Sequence, residues 1–140
     1  MLNATLVETR ATVRVSLSPE VRLQQVLETL AAAIPGSRSL AVGDPNGLPV
    51  VSLDRGPNTM AATAMATLAM SAAKNVCVTL GLERPEDVLI ESSGWKVLVR
   101  SLGNGFTFLV VLEATVNLGL VKLEVERRCQ ELREVLDEMM

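Results

Sequence analysis

Hydrophobic and polar positions along the chain fall into segments of two periods, two residues and close to four. Val7, Ala11, Val13, Val15 and Leu17 alternate with Glu8, Arg10, Thr12, Arg14 and Ser16, the pattern of a half-buried strand. Ser18-Pro19-Glu20 then supplies an N-cap, a proline preset for the first helical turn and an acid suited to the helix dipole. Leu23, Val26, Leu27, Leu30 and Ile34 form one apolar stripe, so a helix is expected to Ile34, where Pro35-Gly36 stops it. Ser39 to Val42 and Leu48 to Leu53 flank Gly43-Asp44-Pro45-Asn46-Gly47, which predicts a hairpin. Gly56-Pro57-Asn58 breaks the chain and opens a long helix running to Gly81. Three strands follow, Val88 to Ser92, Trp95 to Leu102 and Phe106 to Ala114, separated by Ser93-Gly94 and Gly103-Asn104-Gly105. The last of them is apolar on both faces and belongs in the middle of the sheet. A terminal helix begins near Asn117, with Val121, Val125, Cys129, Leu132 and Leu136 as its buried stripe and Glu124–Arg128 and Arg127–Glu131 as solvated four-residue pairs.

Within the long helix, Asn58 to Ala73 carries no charge and is built almost wholly of Ala, Met and Thr, in a chain that is 21% charged as a whole. Such a surface suits association more than catalysis, because small side chains allow close approach and Met adapts to irregular contacts. At about 100° per residue, Met65, Leu68, Ala72, Val76 and Leu80 gather on the side expected to meet the sheet. Thr63, Thr67, Ser71, Lys74 and Asn75 lie opposite, and Thr63, Thr67, Ser71 and Lys74 are taken as the partner-binding face. Ala66, Met70, Ala73 and Cys77 form a narrow third stripe, read as a helix–helix dimer seam; the same small residues would also let the helix sit low on its own sheet.

Composition narrows the function classes. The chain has 140 residues, enough for one domain with a real core, divided here into an extension at 1–17 and a domain at 18–140. Net charge is −3 and no basic cluster exceeds Arg127-Arg128, so nucleic acid is not an expected partner. The absence of His and Tyr excludes the Ser-His-Asp triad, His-zinc sites and the commonest general base. There is no phosphate-binding P-loop, and Gly103-Asn104-Gly105 lies between strands, so no catalytic, cofactor or metal residues are assigned. Glu83, Glu86 and Asp87 around Arg84-Pro85 read as a solvated loop. Cys77 and Cys129 suit buried thiols in a reducing compartment. Glu8, Arg10 and Arg14 interrupt any signal-peptide core, pointing to a cytoplasmic protein. Mean hydropathy is +0.34, but the uncharged run is shorter than the roughly 20 residues of a membrane span. Trp95, the sole Trp, reads as half-buried packing or as a partner contact.

Ile34-Pro35-Gly36, Asp44-Pro45-Asn46-Gly47-Leu48-Pro49, the Ala/Met-rich helix and Asn117-Leu118-Gly119-Leu120, in this order, resemble the roadblock/dynein light chain family over most of Pro19 to Leu136. The segment before Ser18 departs from that pattern. The resemblance implies an α+β fold, a five-stranded mainly antiparallel sheet with the long helix on one face and the first and last helices on the other. It also implies pairing, as a homodimer or with a paralogue, through the long helix and the middle strand of the sequence. Val88, Leu89 and Ile90 are the corresponding strand residues, and an apolar edge of this kind needs covering in any case. Members similar to this chain serve as partners, activators or platforms of small Ras-like GTPases, so a dimeric regulatory or scaffold protein is the leading expectation. A small-molecule sensor with an apolar pocket and a purely structural homodimer are the alternatives.

Overall fold

The computed structural model describes residues 17–54 and 58–140. The strand expected over Val7 to Leu17 lies outside the described residues save for Leu17. The element order is α1 (Pro19–Ala33), β1 (Ser37–Gly43), β2 (Pro49–Asp54), α2 (Thr59–Leu80), β3 (Asp87–Glu91), β4 (Trp95–Gly103), β5 (Phe106–Glu113) and α3 (Leu118–Glu138). The strands form one antiparallel sheet in the order β2-β1-β5-β4-β3. Every element expected after Ser18 is present, with boundaries shifted by no more than a few residues.

Local chemistry accounts for the element ends. The Ser18 hydroxyl accepts from the Val21 amide at 3.2 Å and the Asn117 side chain accepts from Leu120 N at 3.2 Å, capping α1 and α3. Gly81, at φ +70°, closes α2 as only a residue tolerant of the left-handed region does cheaply. In the β1–β2 hairpin the Asp44 carboxylate accepts from Asn46 N at 2.8 Å and Leu48 N at 3.0 Å, an Asx turn that sets the reversal. On α3 the ion pairs differ from the expected ones. Arg127 meets Glu124 and Arg128 meets Glu131, both three residues apart, a spacing that is as close on a helix surface as four.

The two faces of the sheet are covered unequally. α1 and α3 pack side by side on one face, where Leu23, Leu27, Leu30, Ile34, Phe108, Val110, Val121, Val125 and Leu132 make the main core. Phe106 to Leu112 is buried almost throughout and β5 lies in the middle of the sheet, as its two-sided apolarity required. On the other face, among the described elements, α2 alone covers a small cluster of Ala66, Met70, Val99 and Leu109. That imbalance leaves apolar surface open.

Candidate protein-docking surface

α2 meets its sheet through Thr63, Ala66 and Met70, the three residues of the helix that are buried. This corrects the assignment of faces made from periodicity. Met65, Leu68, Val76 and Leu80 are 69%, 67%, 56% and 65% exposed, and Ala72 is exposed with them. The bulky apolar residues therefore point away from the chain's own sheet. The physical reason lies at the β1–β2 hairpin, which approaches too closely for bulk. A Cβ on Gly43 would stand 2.5 Å from Thr63 Cγ2, and one on Gly47 would stand 3.1 Å from Ala64 Cα. At the hairpin end only small side chains fit beneath the helix, while the longer Met70 packs in the cluster with Val99 and Leu109.

The same finding relocates the site residues. Thr63, expected on the partner-binding face, is fully buried, its hydroxyl donating to Thr59 O at 2.7 Å. Thr67 and Lys74 are half-buried and Ser71 is exposed, so these three remain available; Thr67 faces the β1–β2 hairpin, while Lys74 lines a cavity with Cys77, Leu82 and Arg84. Ala66 and Met70, expected in the dimer seam, lie under the helix with Val99 and Leu109, where they form the small core between α2 and its own sheet. Ala73 and Cys77 are half-buried, beyond the last fully buried position of the helix at Met70.

On the opposite flank of α2, Ala62, Met65 and Ala66 face Ile90, Val97, Val99, Leu109 and Val111 across a groove of about 200 Å³ with an almost wholly apolar lining. The groove lies open at the surface between helix and sheet and is small for an enclosed ligand. Beside it runs β3, paired on one side to β4 and, among the described strands, at the sheet edge on the other. Val88 packs beneath α2, Ile90 lines the groove at 47% exposure, and Leu89 faces the opposite side in register with Leu98. Groove, exposed helix flank and open strand edge form one continuous apolar surface. Contiguous patches of this kind mark interaction sites.

At the far end of β4, Trp95 is 37% exposed with the Arg38 guanidinium carbon 4.7 Å from its ring centroid, a cation–π contact. Among the described residues no group of His, Cys, Asp or Glu could hold a metal ion, and no helix is long and apolar enough to cross a membrane. Both cysteines are free thiols, Cys129 buried and Cys77 half-buried rather than fully so.

Sequence reasoning missed a polar cluster behind the sheet. Arg100 on β4 is 6% exposed and pairs with Asp87 on β3 and Glu126 on α3, while its Nη1 lies 3.8 Å from Cys129 Sγ. Its guanidinium is held even more firmly protonated than usual, first by the hydrogen bond to Asp87. Asp87 is thus held in an ion pair instead of lying in a solvated loop. The signal was available: Arg100 shares its strand phase with Leu98 and Leu102, and a charge on the core-facing phase needs a partner.

The family model described as Roadblock/LC7 domain matches residues 23–113. Among proteins of known sequence, an uncharacterised protein of Methanocaldococcus jannaschii is 31% identical over 70 residues, half of this chain and 60% of that one. The chain thus spans less than two thirds of the length of the curated relatives it matches. Among solved structures, MglB in a tetrameric arrangement superposes with a TM-score of 0.80 at 21% identity, covering 89% of this chain and 98% of that one. MglB of Myxococcus xanthus gives 0.78 at 15% identity, covering 86% and 92%. At these identities the structural likeness concerns the fold.

Proposed function

The chain belongs to the Roadblock/LC7 domain family, and on that premise we propose that it is a dimeric regulatory or scaffold protein whose joined α2 surface docks a small Ras-like GTPase. The observation that carries this reading is the apolar surface running from the exposed flank of α2 across the groove to the open edge of β3. A second copy related by a two-fold axis at that edge would align the two β3 strands antiparallel and continue the sheet. Met65, Val76 and Leu80 of each helix would then face the other subunit, together with Ile90 and the half-buried Ala73 and Cys77. Such an arrangement withdraws from water the surface that one chain leaves bare. Val88 and Leu89 would take part through the strand, Val88 from beneath its own helix.

Dimerisation leaves a flank of α2 for a third protein. Thr67, Ser71 and Lys74 form the docking face in this reading, a neutral surface with one cation. A helix with Lys74 as its single charge offers no arginine finger, so any effect on GTP hydrolysis would act by positioning the switch loops of the partner. The test is capture of Ras-like GTPases from the native cell, loaded with GDP or a GTP analogue, followed by hydrolysis measurements on the complex. Binding to one nucleotide state in preference is expected, and Ser71→Arg should weaken it. Absence of binding in both states, from a protein that still dimerises, would leave a purely structural homodimer.

A further inference from the structure

On the face of the sheet away from α2, the loop 81–86, the end of β4 and the outer side of α3 enclose a cavity of about 390 Å³. Arg84, Arg100 and Arg133 line it, with Glu86, Glu126 and Ser101. Three guanidinium groups share one concave site in a chain of net charge −3. Arg100 is spent on Asp87 and Glu126 and forms a fixed, buried floor. Arg84 and Arg133 have no carboxylate within 4.0 Å among the described residues, although they come from different elements and converge on the same space. Glu126 is engaged by Arg100, and Glu86 is exposed at the rim without an ion pair, free to turn outwards.

We propose that this cavity binds a small molecule bearing a phosphate group, with Arg84 and Arg133 as its two guanidinium forks. Planar guanidinium groups match phosphate oxygens at two points each and stay charged at any physiological pH. Arg84 and Arg133 are the two cations of this lining without an ion pair among the described residues, and an anion between them is attracted to both. Ser101 adds a hydroxyl that donates to a third oxygen. The volume lies in the range of small-molecule sites, and concavity together with the acidic chain disfavours a nucleic-acid backbone. The cavity shares no lining residue with the apolar groove, so it stands whether or not a second chain docks there, and Arg84 also borders a second cavity with Lys74 at the end of α2.

The experiment titrates the full chain with inorganic pyrophosphate by calorimetry at low salt, against a sodium chloride blank of matched ionic strength, and follows the melting temperature alongside. Saturable binding at one site per chain and a rise in melting temperature are expected. Arg133→Gln and Arg84→Gln should each weaken binding by about tenfold, and Lys96→Gln, at the other end of β4, should leave it unchanged. No saturable binding, retention of full affinity in both arginine variants, or an equal loss in Lys96→Gln would each overturn the proposal. Arg84 is exposed, so its variant separates loss of binding from loss of folding.

Discussion

The Arg100 guanidinium on β4 holds the Asp87 carboxylate on β3 at two points, Nε donating to Oδ1 at 2.7 Å and Nη2 to Oδ2 at 3.0 Å. Asp87 is the first residue of the edge strand, and the same guanidinium reaches Glu126 on α3. The pair therefore fastens the strand that carries the open edge to the helix behind the sheet. Removing one partner from a largely buried pair leaves the other charge uncompensated. Arg100→Met should cost about 3 kcal/mol in urea unfolding. Adding Asp87→Leu to it should recover much of that loss, because the carboxylate then left without Arg100 is that of Glu126, which is exposed to water. A single variant as stable as the parent would show that the pair adds nothing.

Self-association should depend on the groove and not on the stripe beneath the helix. Met65→Arg and Ile90→Arg place a charge on exposed apolar surface, so each should yield a folded monomer in sedimentation velocity with unchanged helical circular dichroism. Ala66→Arg acts differently, since Ala66 is buried between α2 and its own sheet, and it should destabilise the fold itself. Folded dimers from both groove variants at micromolar concentration would rule out this seam.

Gly43 is held to glycine by its neighbour. A methyl group there would meet Thr63 Cγ2 at 2.5 Å and Thr107 Oγ1 at 3.1 Å, lifting α2 from β1. Gly43→Ala should lower stability by about 1–3 kcal/mol, and Thr63→Ser in the same chain should restore part of it by removing the clashing methyl. Thermal melts of the three proteins check this.

Alkaline pH should weaken the fold through Cys129. Burial pushes this thiol above its ordinary value of 9.0, partly opposed by Arg100 and Arg133. Above about pH 9 the unfolded chain releases the proton while the folded chain keeps it. Stability therefore falls as pH rises, by at most about 1.4 kcal/mol per pH unit for one group. Cys129→Ala should flatten the decline between pH 9 and 10 in denaturant titrations. An equally steep decline in that variant would assign the effect elsewhere.

The local punctuation of this chain was legible in its sequence because it is decided by neighbours along the backbone. Ser18-Pro19, Asp44 to Gly47, Gly81 and Asn117 each satisfy or release backbone groups within a few residues, and each stands where an element begins, turns or ends. The two-sided apolarity of Phe106 to Leu112 likewise required a central strand. The face that α2 turns to the sheet was decided only in three dimensions. Periodicity assumes that the bulkiest apolar stripe is buried within the chain, whereas here Gly43 and Gly47 bring the hairpin so close to Thr63 and Ala64 that α2 turns Met65 and Leu68 outwards. The three-way contact of Arg100, Asp87 and Glu126 was hidden for a related reason. It joins residues 13 and 26 positions apart, and only strand register and helix placement bring such groups together.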